Sequence, residues 1–389
     1  MGGSQNLGKL DFETQLNTRT LDFKKTFDET IDRFEARGVK LVVLTGDSYD
    51  VKSPNPSIVN VFSECLMRAV NKGMRLLLLV GNHDQQRASS TTSVDVFNAL
   101  DLKEITSFPE FSVFHTKDGD KDVNIVMMPY RDKNMIAGAL FPEQATAMIR
   151  QDVQKLIANL KGTILGVTHF MIHKTITGET SEIFSINELV LPLDTFDGLT
   201  AVIGGHVHKH EVLRKDPLVM YVGSMEKISF GEKDHTKVSV VFDTADNSVE
   251  IIPTPVRELF EINLDYSTGD KEYKAEINDK IITDIDDFEK THILADAIVK
   301  LVVKIKENDA YHISQERLRE YILNKKVNHL AQIQVSTVSS RTLRNKEITE
   351  DTDSKKAITS FINTLPETDT MKKKLQKCAE TIIEECDGK

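Results

Sequence analysis

Cysteine is scarce in this chain, with three residues in 389, and tryptophan is absent. Cys65, Cys378 and Cys386 form no Cys-x-x-Cys pair, which excludes a disulfide framework and a thiolate zinc site. Long apolar runs are missing too, and no stretch approaches the ~18 residues of a membrane span. The N-terminus has no basic segment followed by an apolar one, so a cytoplasmic protein is expected rather than a secreted one. Positive charge is also short: Lys and Arg number 49 against 60 Asp and Glu, a formal net charge of -11. That balance excludes a general DNA-coating or membrane-surface protein. Any nucleic-acid contact must come from a local basic patch or from metal ions.

Hydrophobic residues at 40% and charged residues at 28% describe a globular chain with a sizeable core. The length suits two or three domains. Leu21, Phe27, Ile31 and Phe34 recur at helical steps, and Gly38 stands where that helix should stop. Val39 to Leu44 reads as a buried strand, Ile58 to Val70 as a helix, and Leu76 to Val80 as a second strand. Together they form a βαβ unit whose strands are parallel neighbours. Further strands are predicted at 123–128, 163–167, 199–203, 218–222, 237–242 and 249–252, the later ones antiparallel. Two prolines at 253 and 255 mark a boundary. Beyond it, strands at 297–305 and 330–335 flank a helix at 314–323. A polar stretch then leads to a helical tail, 359–385, interrupted at Pro366.

The chemistry lies where the first-region strands end. Strand 39–44 runs into Gly46-Asp47, and strand 76–80 into Gly81-Asn82-His83-Asp84. Strand 163–167 runs into Thr168-His169, and strand 199–203 into Gly204-Gly205-His206-Val207-His208. Ligands of open α/β sheets bind at the carboxyl ends of strands, and four ends of this composition predict a metal site. Imidazole, carboxylate and amide oxygen suit manganese, iron or zinc better than calcium. Asp47 could bridge two ions, and the alternation at 206–208 is expected to turn both imidazoles to one side of an extended segment. Two such ions clamp a phosphodiester and activate water, with His83 placed to contact the phosphate or protonate the leaving oxygen. His173 competes with His169 for the third strand end, and His210 is a reserve ligand.

These motifs resemble the calcineurin-like metallophosphoesterases, and within them the SbcD-type DNA exonuclease subunits of bacteria and phages. Asp47 in Gly-Asp-Ser-Tyr-Asp, Gly-Asn-His-Asp at 81–84, His169 and Gly-His-Val-His at 205–208 carry the likeness. Phe196-Asp197, Tyr221-Val222-Gly223-Ser224 and Phe230-Gly231-Glu232 support it. The resemblance implies an α/β protein: a β-sandwich flanked by helices, with a small α/β cap and C-terminal helices. It implies a manganese-dependent nuclease, exonuclease on double-stranded ends and endonuclease on single strands, serving DNA repair, recombination or replication. It implies an SbcC-type SMC-like ATPase partner, with a homodimer inside a heterotetramer. By motif, Asp47 would bridge two Mn2+ ions, Asn82, His169 and His206 would hold the second ion, His208 would belong to the first, and His83 would be the catalytic histidine. The expected division is a nuclease domain over 1–255, a DNA-binding cap over 256–340, and a linker with partner-binding helices over 341–389.

One motif departs from the pattern. Where the family has Asp-x-His-Leu-Gly, this chain has Ser4-Gln5-Asn6-Leu7-Gly8 after Met-Gly-Gly. The first ion's site is therefore expected to be incomplete and the first strand missing, through either a shortened start or a naturally impaired nuclease. A non-catalytic scaffold subunit and a phosphodiesterase for another substrate are the alternatives. Between Asp296 and Lys346 ten basic residues face five acidic ones, a local +5. Lys300, Lys304, Lys306, Arg317, Arg319, Lys325 and Lys326 are the candidate DNA contacts in the cap.

Overall fold

Asn17 starts the first helix: its side chain accepts a hydrogen bond from the Arg19 amide at 2.8 Å, satisfying an otherwise unpaired donor. The structure, a computed structural model, describes residues 7–85, 91–172, 188–268, 273, 276–338, 354–364 and 368–387. Ser4, Asn6 and His173 lie outside the described residues, as do Arg341, Arg344, Lys346 and most of the charged run 347–356.

Helices α1 (Thr18–Ala36), α2 (Pro56–Asn71), α3 (Asp95–Ala99) and α4 (Pro142–Ile157) belong to the first region. Its strands are β1 (Leu41–Leu44), β2 (Arg75–Leu79), β3 (Ile105–Phe108), β4 (Ser112–Asp118), β5 (Lys121–Met128) and β6 (Thr163–Thr168). They continue with β7 (Met171–Ile172), β8 (Val190–Leu191), β9 (Ala201–Gly204), β10 (Glu211–Lys215), β11 (Leu218–Tyr221), β12 (Val238–Phe242) and β13 (Val249–Pro253). The βαβ expectation holds: β1 pairs with β2 in parallel, Leu41 opposite Arg75 and Leu44 opposite Leu78. A three-stranded sheet runs β1-β2-β3, and a six-stranded sheet runs β10-β11-β9-β6-β5-β4.

Three apolar layers hold these sheets. Phe27, Ile31 and Phe34 of α1 and Phe62, Cys65 and Leu66 of α2 pack on one face of the small sheet, against Leu76 and Leu78. Leu77 and Leu79 point the other way and meet Val123, Ile125, Met127 and Val167 of the large sheet. Ala145, Ile149 and Val153 of α4 cover the large sheet's far side, against Val126 and Met128. The alternation along β2 and β5 therefore feeds two different cores, which is why both strands read as continuous apolar runs. The result is the predicted β-sandwich flanked by helices.

The later strands need a correction. β12 and β13 are antiparallel as expected. β11 is not simply so: it pairs antiparallel with β10 but parallel with β9, Leu218 opposite Ala201. The unforeseen strand β10 reverses the chain once, and β11 reverses it again, so β11 returns along β9 in the same direction. β3, β4 and α4 also lay outside the sequence reading. Half of β4 is solvent-facing, which leaves little periodicity to read.

The remaining strands β14 (Leu259–Tyr266), β15 (Ile298–Lys306) and β16 (His329–Val338) form a three-stranded sheet in that order, with α5 (Ile277–Glu289) and α6 (Gln315–Asn324) between them in sequence. Helices α7 (Ser354–Thr364) and α8 (Asp369–Asp387) follow. By compactness the chain divides into two units: Met1–Asn263 with Lys280–Val302 and Gln315–Gln334, and Leu264–Asp279 with Val303–Ser314 and Val335–Lys389. In the second unit α7 and α8 form an antiparallel hairpin. Lys372 Nζ reaches the Asn363 carbonyl at 3.0 Å, and Gln376 reaches Thr359 Oγ1 at 3.3 Å. Ile362 is buried, while Phe361, Met371 and Leu375 remain exposed.

Candidate metal centre

Four strand ends meet at one point. Asp47 follows β1, Asn82 follows β2, His169 follows β6 and His206 follows β9. One donor atom each from Asp47, His169 and His206 falls within 4.8 Å of the others. His169 Nε2 lies 3.2 Å from Asp47 Oδ2 and 3.1 Å from Asn82 Oδ1, and His206 Nδ1 lies 3.2 Å from the same Asn82 oxygen. Among the described residues this is the one cluster of three acid or imidazole donors.

Local backbone explains how short loops bring four side chains so close. Asp47 and His206 both have left-handed φ angles, +54° and +76°, which few residues with a Cβ adopt. The glycines beside them supply space. A Cβ on Gly81 would overlap the Asp47 carboxylate, and one on Gly46 would overlap the His169 ring. The expected alternation of an extended 206–208 segment does not occur, because His206 sits in the left-handed region and turns the chain there. Val207 is buried between the two histidines, which then point to different acid partners.

Each imidazole is held by one nitrogen, leaving the other for a ligand. The His169 Nδ1–H donates to the Thr45 carbonyl at 2.7 Å, so Nε2 faces Asp47 and Asn82. The His206 Nε2–H donates to Glu188 Oε1 at 2.6 Å, so Nδ1 faces Asn82. The His208 Nδ1–H donates to Glu232 Oε1 at 2.9 Å. Histidines that bind metals commonly carry such an acid or carbonyl behind the ring, which fixes tautomer and orientation. Tyr130 adds an aromatic wall, its ring 6.1 Å from that of His206 and 6.4 Å from that of His169.

The electrostatics are those of a site arranged for a cation. Burial opposes ionisation of Asp47, but the His169 charge and the His83 amide outweigh it and hold the carboxyl well below its usual range. Burial likewise favours a neutral His169, yet Asp47 raises its pKa above the ordinary imidazole value. Asp84 is fully buried, and that burial together with the Asp47 charge pushes its pKa up to about 6. Asp84 is a brace: its carboxylate accepts from the amides of Gly81 at 3.0 Å and Ser48 at 3.3 Å, tying the β2 loop to the β1 loop.

His83 is exposed at the rim. Its amide donates to Asp47 Oδ1 at 2.8 Å, and its ring Nδ1–H donates to the Asp50 carbonyl at 2.9 Å. Nε2 is thereby left to exchange a proton with a bound substrate. His208 stands outside the three-donor cluster, and His210 Nδ1 is hydrogen-bonded to the Tyr221 carbonyl at 2.8 Å. Two acids were not foreseen as site residues, Glu188 behind His206 and Glu232 behind His208. No local signal marks Glu188, whereas Glu232 sits in the Phe-Gly-Glu motif.

Three of the seven candidate DNA contacts are shown in ion pairs. Lys300 meets Glu261 at 2.9 Å, Lys304 meets Asp265 at 3.2 Å, and Lys325 meets Asp286 at 2.6 Å and Glu289 at 2.7 Å. Arg319 and Lys326 are exposed, as is Arg317; Lys306 is half-buried. Residues 256–340 contain 12 basic and 16 acidic side chains, so the segment as a whole carries -4. The local excess seen from Asp296 onward is offset by acids on β14 and α5.

The residues present fit a divalent cation. One carboxylate, two imidazoles with their outer nitrogens occupied, and an amide oxygen form a donor set suited to a borderline transition metal. Such an ion supplies a Lewis acid for a phosphoryl oxygen and lowers the pKa of water. Fold and site together fit a metal-dependent phosphoesterase. Residues 21–210 match the calcineurin-like phosphoesterase family, which places this segment in the metallophosphoesterase superfamily. The match spans Asp47, Asn82, His83, His169, His206 and His208. Among solved structures, the chain is similar to GAP50, the anchor in the inner membrane complex of Plasmodium. That pair shares 13% identity over 66% of this chain and 87% of the other, with a TM-score of 0.33, too loose to argue from. Among the described residues no helix is long and apolar enough to cross a membrane.

Proposed function

We propose that this protein is a manganese-dependent phosphodiesterase that cleaves DNA, with exonuclease action at double-stranded ends and endonuclease action on single strands. The observation that carries the hydrolase is the convergence of Asp47, Asn82, His169 and His206 beside an exposed His83. The DNA substrate rests on the ordered motifs at 47, 81–84, 169 and 205–208 and their likeness to SbcD-type nucleases. In this reading Asn82, His169 and His206 orient the cation, and His83 Nε2 delivers a proton to the leaving oxygen. Arg319 and Lys326 are exposed cations that would meet phosphates, while Lys300, Lys304 and Lys325 would first have to leave their carboxylates. An SMC-like ATPase would be the partner, and the α7–α8 hairpin offers it the exposed side chains of Phe361, Met371 and Leu375.

A second reading takes a smaller phosphodiester as substrate. The net acidic charge of 256–340 and its paired lysines favour it. Incubation with Mn2+ and end-labelled linear DNA, single-stranded DNA or bis(p-nitrophenyl) phosphate separates the two. Release of nucleotides from DNA supports the nuclease. Turnover of the small ester with DNA left intact supports the second reading, and turnover of neither, with or without an SMC-like ATPase, overturns both.

A further inference from the structure

His208 belongs to a stretch, residues 205–210, that lies between β9 and β10 and outside either strand. Contacts from elsewhere must therefore fix its position. Two of them meet its backbone carbonyl: the Ser224 amide donates at 3.0 Å, and the Lys237 ammonium donates at 3.0 Å. A third meets its ring, where Nδ1–H donates to Glu232 Oε1 at 2.9 Å. The same ammonium donates to Glu232 Oε2 at 2.6 Å and to Ser224 Oγ at 2.7 Å. Lys237 thus directs all three of its donors at His208 and at two residues that touch it.

The side chain of Lys237 is 1% exposed and that of Glu232 is 2% exposed. Burying an ammonium is costly even beside a carboxylate, and a methionine would fill a similar volume without that cost. Packing alone therefore does not call for a lysine at 237. What an apolar side chain could not do is hold both the main chain and the ring partner of one histidine. Glu232 Oε2 takes Lys237 and the Ile228 amide at 3.2 Å, which sets the carboxylate plane and leaves Oε1 turned to the His208 ring. The frame is anchored from behind. Ser224 Oγ donates to the Glu226 carbonyl at 2.7 Å, and Arg19 donates to the Glu226 carboxylate at 3.0 Å and to the Lys227 carbonyl at 2.6 Å. The 224–232 segment is thus tied to α1, and Lys237 is tied to that segment.

We propose that Lys237 is a positioning residue for His208, holding its main chain directly and its ring through Glu232. With Nδ1–H committed to a carboxylate held from rotating, the proton is kept off Nε2. That nitrogen is then presented as a ligand to the cavity that Asp47 and His206 also line. The inference rests on the metal-dependent phosphoesterase reading of that cavity. It adds a residue that acts only through another.

The His208 tautomer is read directly in the full chain, without metal or substrate. Long-range 1H–15N correlation spectra of 15N-histidine-labelled protein distinguish a protonated ring nitrogen from a bare one, and His208→Gln assigns the signal. At about pH 8, where an ordinary imidazole is neutral, the wild type should hold the Nδ1–H form in at least ~tenfold excess, the worth of one hydrogen bond to a carboxylate. Lys237→Met should reduce that excess to about twofold or less, as loss of that oriented bond requires. Lys237→Gln leaves Glu232 a neutral donor but is too short to hold both groups, so it should show the same loss at a smaller cost to folding. His206, whose ring is held by Glu188, should keep its own tautomer in both variants. A wild type without the excess overturns the proposal whatever the variants do. So does an excess retained in either variant that circular dichroism shows to be folded, and so does an equal change at His206, which would mean a general loosening. No turnover enters the readout, so its failure is distinguishable from failure of the phosphoesterase reading.

Discussion

His169 Nε2 stands 3.2 Å from Asp47 Oδ2 although the two residues leave different sheets, β6 of the six-stranded sheet and β1 of the three-stranded one. The pair therefore bridges the sandwich at its carboxyl end. Its energetics set a pH dependence. Asp47 raises the His169 pKa, so without metal the ring keeps its proton to a higher pH than an ordinary imidazole. A cation must displace that proton, and metal binding therefore strengthens as pH rises. Below the His169 pKa, Mn2+ affinity is expected to fall by about tenfold per pH unit for the one proton displaced. Calorimetric titration between pH 6 and 8 in buffers of different ionisation enthalpy checks both the slope and the proton release. His169→Ala should abolish the slope together with most of the binding.

Glu188 is expected to act through His206. Its carboxylate accepts from Nε2–H at 2.6 Å and so presents Nδ1 to the site. Glu188→Gln keeps the shape but can present its amide NH2 to the ring and favour the wrong tautomer. A loss of about 10–100-fold in metal affinity is expected, with the circular dichroism spectrum unchanged. Unchanged affinity would mean that the Asn82 oxygen alone orients the ring.

His83 separates chemistry from metal binding. It is exposed, and its ring is anchored only through Nδ1 to the Asp50 carbonyl. His83→Gln should lower kcat by about 10²–10⁴-fold, the usual contribution of a positioned proton donor. Metal content per chain should stay at the wild-type value, because the His83 contact to Asp47 is made by its backbone amide. A fall in metal content would instead make His83 a positioning residue for Asp47.

Much of this site is legible in the sequence because it lies where apolar strand runs stop. Asp47, Asn82, His169 and His206 each follow within three residues of a strand, and each of those strands is a short, mainly apolar run. Glu188 is not legible, since it stands 18 residues before His206 with no motif around it. Nor is the pairing of Lys300 and Lys325, because charge counted along the chain cannot show which acids β14 and α5 place opposite. The left-handed turn at His206 is not legible for another reason: a single histidine is only a weak sign of positive φ.

Gly81 tests the packing of the donors. A Cβ there would strike the Asp47 carboxylate and backbone amide together, and backbone cannot rotate away as a side-chain tip can. Gly81→Ala should cost about 1–3 kcal/mol, as overpacking of a tight site does. At ~2–4 °C per kcal/mol for a chain of this size, Tm should fall by several degrees. Metal binding should fall with it. A variant that keeps both would show that the β2 loop has room to shift.

Glu232 gives the last prediction and ties the site to stability at acid pH. It is buried, accepts from His208 at 2.9 Å and from Lys237 at 2.6 Å, and receives Ser224 Oγ at 3.3 Å. Burial opposes its ionisation, but the His208 hydrogen bond and the Lys237 ammonium outweigh it and hold its carboxyl down to about 2, against an ordinary 4.5. A depressed carboxyl stabilises the fold fully above its unfolded value and loses that contribution as pH falls through its folded one. The stabilisation should therefore be complete above pH 4.5 and decline between 4.5 and about 2. Burial lowers the Lys237 pKa, while the Glu232 charge opposes that shift. Glu232→Gln leaves Lys237 buried without its counter-charge, so it should destabilise by about 3–5 kcal/mol at pH 7. Urea unfolding at a series of pH values from 2 to 7 measures both effects. The difference between wild type and variant should shrink steadily below pH 4.5, and a difference that stayed constant would place the acid-sensitive group elsewhere.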